Sequence, residues 1–513
     1  MTLSFRFDRP WLQVAVAVIA VLMIGYATLA LSGSTRDLRI VRSTVGSIPF
    51  TVYAPADGQP APAVVIAHGF AGSQQLMQPL ATTLAHAGFV AVSFDFPGHG
   101  RNPLPLSSGL ADQQEMSSAL VAALRDVVAE VRKRPDVDGR IGLLGHSMAS
   151  DVVVRLGIED PTIAATIAVS LFFQRATDRA PRNLLIIDGA WEADELIRQG
   201  LLSISASAAG RPEAGPIYGL FENGSARRLV LARGVEHIGV LYARDTLDAA
   251  VDWLSGSFMQ PITGHWRDSR GGPLMLLIAG LMLLAWALAG RLPVLRSPCD
   301  GLSLPYRELL ITTGVPAVAT PLLLWPLPHD WLPLLLGGYL AMHFAVYGLL
   351  VALLLHRRGH RLPKLAVLDR RTGLVLLAVI VACTTSFGFV LDRWVASVAP
   401  HALRWPLIAV MTLGLLPYFV IDEWLTRGPQ PRRGAYLLTK LLLLASLLLA
   451  VALNLYELFF LIIIVPVVVL LFLVFGSFSR WIGRRTGQPL IAAIANAVLF
   501  GWLIAVSFPV VVQ

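Results

Sequence analysis

Gly145-His146-Ser147-Met148-Ala149 is the stretch whose reading decides the fold. It follows the apolar run Ile141–Leu144, which reads as a buried strand, and precedes Ser150–Leu156, which can start a helix. A serine with small residues two positions before and two after it, set between strand and helix, has the form of a nucleophile elbow. The turn is tight enough that its neighbours must be small. The serine oxygen is thereby lifted to the sheet edge, clear of its own backbone.

Around this stretch, residues 36–265 alternate short β-rich runs with helical ones. Leu38–Val45 and Ile48–Tyr53 look like an antiparallel start, and Ala63–Ala67, Phe89–Phe94, Ile141–Leu144, Ile163–Val169, Leu184–Ile187 and Leu229–Ala232 read as further strands. Ser73–Ala87, Ala111–Arg134, Met148–Gly157 and Gly239–Leu254 read as helices. Alternation of this kind predicts an α/β domain with a mainly parallel sheet and helices on both faces. Chemistry in such sheets sits at the carboxyl ends of strands. Four chemically suggestive stretches fall there: His68-Gly69-Phe70, Asp95-Phe96-Pro97-Gly98-His99-Gly100, Asp188-Gly189-Ala190-Trp191-Glu192 and His237.

With those residues in place, the segment resembles the α/β-hydrolase family over about 220 residues. The His-Gly-Phe turn, the Asp-x-x-Gly-His-Gly turn, the elbow, and the chain order serine, acid, histidine all match. Each signal is weak alone; four in order, each at a strand end, are specific. The family often has glycine at the elbow's last position, where this chain has Ala149, still small. The resemblance implies a catalytic triad of Ser147, His237 and an acid. It assigns the oxyanion donors to the backbone N–H groups of Phe70 and Met148. It favours Glu192 as the acid, three residues after Gly189, with Asp194 and Asp188 as alternatives. A serine needs a base to take its proton, an imidazole titrates near working pH, and a carboxylate fixes the imidazole tautomer. His68, Gly69, His146 and Asp194 are possible substrate-site residues, although His68 and His99 equally suit turns and Asp95 a brace at its strand end. The link Ser170–Asn183 is too short for a helical cap, so the site is expected to be open, or covered by the bilayer or the membrane bundle. Residues 200–225, rich in Gly, Ala and Ser, read as a loop.

The rest of the chain has a different composition. Of 513 residues, 55% are hydrophobic and 14% charged, against about 25% charged in an ordinary soluble protein. Trp11–Leu31 is an uncharged run after Arg6 and Arg9, long enough to cross a ~30 Å hydrocarbon core. It exceeds the ~7–15 residue core of a signal peptide, so residues 1–35 read as a retained anchor. Residues 273–513 hold eight further expected spans: 273–290, 307–327, 332–355, 373–391, 405–424, 435–453, 456–475 and 489–512. With the N-terminus inside, the inside segments hold seventeen Lys and Arg and the short outside loops only Arg393 and Arg404. That bias predicts nine spans, an extracytoplasmic hydrolase-like segment and an outside C-terminus. It also absorbs the net charge of +8 without nucleic acid. Lys440 reads as a snorkelling residue near the inner end of its span. His343, the Thr384–Ser386 cluster, Asp422, Glu423 and Asn496 are further polar residues within or near spans, read as packing or as a transport path.

The cysteines are Cys299 and Cys383, both outside the hydrolase-like segment, so neither a disulfide framework nor a cysteine metal site is expected there. No metal-ligand cluster or phosphate loop is seen in the sequence, and no cofactor is expected. The expected function is a membrane-bound serine hydrolase of carboxylic esters, with an ester, which could be lipidic, and membrane lipids as partners. Acyl transfer, peptide hydrolysis and a transporter or flippase with an attached hydrolase are the alternatives.

Overall fold

The structure is a computed structural model. It describes residues 10–107, 113–171, 176–177, 179–205, 207–208, 210–297, 299–328, 330–364 and 369–512. Eight strands form one sheet: β1 Leu38–Val45, β2 Ile48–Pro55, β3 Ala61–Ala67, β4 Val90–Phe94, β5 Val137–His146, β6 Ile163–Val169, β7 Leu184–Gly189 and β8 Arg227–Ala232. Their order is β1-β2-β4-β3-β5-β6-β7-β8. The β1–β2 and β2–β4 pairs are antiparallel, and the remaining pairs are parallel. β3, β4, β6 and β7 are almost wholly buried. Strands covered on both faces read as continuous apolar runs rather than alternating ones, which is how they stand in the sequence.

The helices of this unit are α2 Gln78–His86, α3 Gln113–Val131, α4 Met148–Glu159, α5 Asp194–Ser205 and α6 Arg244–Phe258, preceded by α1 Pro10–Gly33. α3 and α4 close one face of the sheet in a core that includes Leu124, Val128, Val152 and Leu156. α2 and α6 close the other with Leu80, Leu84, Leu247 and Trp253. β3 lies between β4 and β5, so the chain reverses direction across the sheet at that point. A crevice forms at the carboxyl ends of strands beside such a reversal.

Some boundaries differ from the sequence reading. α2 begins at Gln78 rather than Ser73, because Gln74 and Gln75 spend their side chains on tertiary bonds. The Gly239–Leu254 helix is divided into a single tight turn, Gly239–Tyr242, and α6. Part of the expected 200–225 loop is helical, since α5 runs to Ser205.

Nine helices among the described residues are long and apolar enough to cross a membrane: α1 and α7 Gly271–Ala289, α8 Tyr306–Leu324, α9 Gly337–Arg357, α10 Arg370–Trp394, α11 Arg404–Thr426, α12 Ala435–Leu453, and, after the short α13 Leu455–Leu458, α14 Phe460–Thr486 and α15 Pro489–Ser507. α15 is the most buried of them and packs along α11. Close approach of backbones is allowed by glycine. A Cβ at Gly348 would sit 2.4 Å from the Pro417 backbone, and one at Gly501 would sit 2.8 Å from Thr412 N. Small residues at helix interfaces serve this purpose where there is no hydrophobic drive between helices.

Two expectations for this region are corrected. The last span ends at Ser507, and the next residues leave it extended: Val510 N–H donates to the Gly98 carbonyl at 2.9 Å, and Leu106 N–H donates to Val510 O at 2.8 Å. Lys440 does not snorkel. It is buried, donates to Asp422, and lies over the Tyr436 ring at 4.3 Å. A cation with a buried carboxylate and an aromatic face at hand gains more by staying than by reaching for water. Asp422 also accepts from Thr439 at 2.7 Å. Thr384, Thr385 and Ser386 bond back to carbonyls of their own helix, and His343 is held between Tyr339 and Ser446.

Candidate active site

β5 ends in a turn whose geometry dictates its residues. Ser147 has φ 54° and ψ −120°, a conformation that an L-residue adopts only under strain. A Cβ at Gly145 would come within 2.3 Å of the Ala149 carbonyl oxygen, so glycine is required there. The strained turn feeds directly into α4, which begins at Met148.

His237 comes from the loop after β8. Its Nε2 lies 2.8 Å from Ser147 Oγ, and its Nδ1 faces Glu192 Oε1 at 3.6 Å. The second distance is an ion-pair separation rather than a hydrogen bond, and such contacts often tighten only when substrate is bound. Glu192 follows β7 and is buried; its Oε1 accepts from Ser170 Oγ at 2.5 Å and from Gly189 N–H at 3.3 Å.

The three candidate acids separate clearly. Asp194 is exposed at the first residue of α5, where its charge suits the helix N-terminus. Asp188 is buried beneath the site, and burial, then the Glu192 charge, pushes its pKa well above the carboxylate range. Those surroundings favour the protonated form of Asp188. Glu192 is the carboxylate that faces the imidazole.

Phe70 lies on the turn after β3. A Cβ at Gly69 would meet Ser147 Cβ at 2.9 Å and the His146 carbonyl oxygen at 3.0 Å. This turn therefore reaches the serine only because position 69 is glycine. Among the described residues, the backbone N–H groups of Phe70 and Met148 donate to no protein acceptor. Two such donors flanking a serine can receive a developing oxyanion.

The neighbouring histidines have other work. His68, expected as a possible substrate-site residue, is fully buried with both ring nitrogens engaged. Its Nδ1–H donates to Gly69 O at 2.8 Å, and its Nε2 accepts from Phe96 N–H at 3.2 Å. Burial lowers its pKa, so it is a neutral brace for the turn. His146 is also buried, and its Nε2–H donates to the His237 carbonyl at 2.9 Å, propping the loop that carries His237. Burial, then the neighbouring His237, lowers its pKa to about 3. His99 is held well below the usual imidazole range, chiefly by burial. Asp95 braces its strand end by accepting from Gln74 N and Nε2, both at 2.8 Å, and from Arg101 N at 3.0 Å.

The site is covered. Ser147 is only 4% exposed. Phe70 stacks on Phe460, at the start of α14, with centroids 4.4 Å apart, and meets Phe508, just after α15, at 5.9 Å. Arg404, at the start of α11, donates to Ala505 O, Phe508 O and Gly98 O at 2.7, 2.5 and 2.7 Å. One buried guanidinium thus ties two helix ends of the bundle to the turn that follows β4. Ser170 is legible as a strand-end residue after β6, although the sequence reading passed it over. Phe460, Phe508 and Arg404 lie hundreds of residues away, and no local signal points to them.

Residues 58–199 match the serine aminopeptidase S33 family. Over 120 residues the chain is 28% identical to cutinase est1 of Thermobifida alba and, equally, to a cutinase of Thermobifida fusca. That stretch is 23% of this chain and 38% and 35% of those proteins, so the chain spans little more than a third of the cutinases it matches. A solved "predicted CIB-like hydrolase" from Thermoplasma acidophilum aligns at 15% identity over 42% of this chain and 97% of its own, with a TM-score of 0.33. The sheet order, the elbow after β5 and the family match within this unit lead to one conclusion: the chain carries an α/β-hydrolase domain, joined to a helical region with candidate membrane spans.

Proposed function

We propose that the protein is a membrane-bound serine hydrolase that cleaves carboxylic esters through an acyl-enzyme on Ser147. The observation that carries this reading is the 2.8 Å contact between Ser147 Oγ and His237 Nε2, with buried Glu192 behind the imidazole. His237 takes the serine proton as Oγ attacks the ester carbonyl, and Glu192 stabilises the imidazolium. The Phe70 and Met148 N–H groups hold the oxyanion. His237 then returns the proton to the leaving alcohol, and water completes hydrolysis by the reverse sequence. The similarity to cutinases supports an ester over a peptide bond.

The aromatic cover contributed by Phe460 and Phe508 supports an apolar ester delivered from the membrane. The excess of Lys and Arg in alternate loops supports placing the hydrolase domain outside the cytoplasm. A covered serine also favours a second reading, acyl transfer to an alcohol, because it limits the access of water to the acyl-enzyme. An acyl-ester panel run on intact membranes tests both. Wild type should turn over esters and Ser147→Ala should lose at least about a thousandfold. Free acid as product supports hydrolysis, a new ester supports transfer, and full turnover by Ser147→Ala contradicts both.

A further inference from the structure

By the loop charges, the short loops on the expected outer side carry Arg393 and Arg404. Arg404 is spent on three carbonyls. Arg393, at the end of α10, has no carboxylate partner among the described residues. It lines a cavity of about 200 Å³ where α10 meets the edge of the hydrolase sheet. The same cavity is lined by Arg42 of β1, Arg101, Tyr53, Asp392 and Phe389.

The charge in this cavity does not cancel. Asp392 is engaged by Arg101 at 2.6 Å, and its other oxygen accepts from Val398 and Ala399 N–H at 3.1 and 3.2 Å. Three glutamines also line it, but their amides are committed: Gln74 to Asp95, Gln75 to the Asp392 carbonyl and Gln78 to the Arg393 carbonyl. Arg42 and Arg393 remain as guanidinium donors without a counter-charge among the described residues. Tyr53, itself buried, also lines the cavity. On α10, the apolar side chain of Phe389 also lines the cavity. Phe389 is 65% exposed and ends an outward stripe on α10 made by Leu374, Leu377 and Val381. Leu374, Leu377 and Val381 recur every third or fourth position, and Phe389 follows two turns later on the same broad face, past Thr385.

We propose that this cavity binds the phosphate headgroup of an anionic membrane lipid, with an acyl chain along the α10 stripe. Guanidinium groups pair with phosphate oxygens in a bidentate way. The apolar stripe leading to the cavity selects a lipid over free phosphate, and the committed state of Asp392 leaves no carboxylate for a headgroup ammonium. The site is separate from Ser147 and holds whether or not that serine is catalytic.

The test uses the full chain in detergent, with phosphatidylglycerol and phosphatidylcholine supplied in equal amounts and retained lipid read by native mass spectrometry. Wild type should keep phosphatidylglycerol preferentially. Arg42→Gln with Arg393→Gln should lose about thirtyfold of that retention, at about 1 kcal/mol for each basic residue near a lipid surface. Arg432→Gln with Arg433→Gln, in a loop at the other end of the bundle, should lose none. Both arginines of the first pair are exposed, so its lipid-free unfolding midpoint should match wild type, and the two single variants separate a folding effect from a binding one. Equal retention by the double variant, equal retention of the two lipids, or displacement of the lipid by excess inorganic phosphate would overturn the proposal.

Discussion

At Ser147 the backbone is strained at the turn between β5 and α4. A residue at φ 54° and ψ −120° costs on the order of 1–3 kcal/mol, and the packing around it must hold it there. Gly145 and Gly69 make this possible from either side. Gly69→Ala should therefore lower ester turnover at least tenfold, because the added Cβ meets Ser147 Cβ at 2.9 Å and the turn must retreat; steady-state kinetics on a soluble ester would show it. The two buried acids should respond in opposite ways. Glu192→Gln removes the charge behind His237 and should cost on the order of 10²–10⁴ in turnover. Asp188→Asn imitates the protonated carboxyl and should leave turnover within a few-fold. The sign of its stability effect also follows. Because the folded pKa of Asp188 is raised, the unfolded chain releases that proton first, and stability falls as pH rises from about 3.8. Thermal unfolding of Asp188→Asn should show a gain over wild type at neutral pH that vanishes below pH about 3.8. That Ser147, His237 and Glu192 would come together was legible because each follows an apolar run that reads as a strand. The partner of the acid, Ser170, and the prop of the base, His146, depend on distances that no spacing encodes.

At the level of elements, the parallel sheet was readable because its strands are buried on both faces. Helix ends were less so. Residues 73–77 have helical composition, yet their side chains serve other bonds. The turn after β3, the turn after β4 and the elbow meet around three buried neutral imidazoles, His68, His99 and His146. Each has a lowered pKa, with burial as the first cause. The unfolded chain takes up protons near pH 6.5 that the fold refuses, down to about pH 3 at His146, so stability is lost as pH falls through that range. His146→Asn should flatten the decline of the unfolding midpoint between pH 6.5 and 3; an unchanged slope would contradict the assignment. In the bundle, α11 and α12 are joined through Asp422 and Lys440. Lys440→Met alone strands a buried carboxylate and should destabilise by about 3–5 kcal/mol, whereas adding Asp422→Leu should restore most of the loss. Guanidinium unfolding in detergent would measure both.

For the whole molecule, the sequence offered the bilayer or the membrane bundle as a cover for the site, but not the residues that make the cover. Composition separated a mixed segment from an apolar one, and hydropathy divided the apolar part into candidate spans. Nothing local foretold that Phe460 and Phe508 would cover the Phe70 turn, or that Val510 would pair with Gly98 and Leu106. These contacts make the bundle part of the proposed site. Phe460→Ala should open the cover and raise turnover of short esters relative to long ones, read from the acyl-chain profile of the full chain. The central claim concerns Ser147 itself, and labelling with a fluorophosphonate followed by peptide mapping tests it most directly. The account predicts a single phosphonylated serine at position 147 in the full chain and none in Ser147→Ala. Labelling that persists in the alanine variant, or a folded wild type that takes up no label, would contradict it.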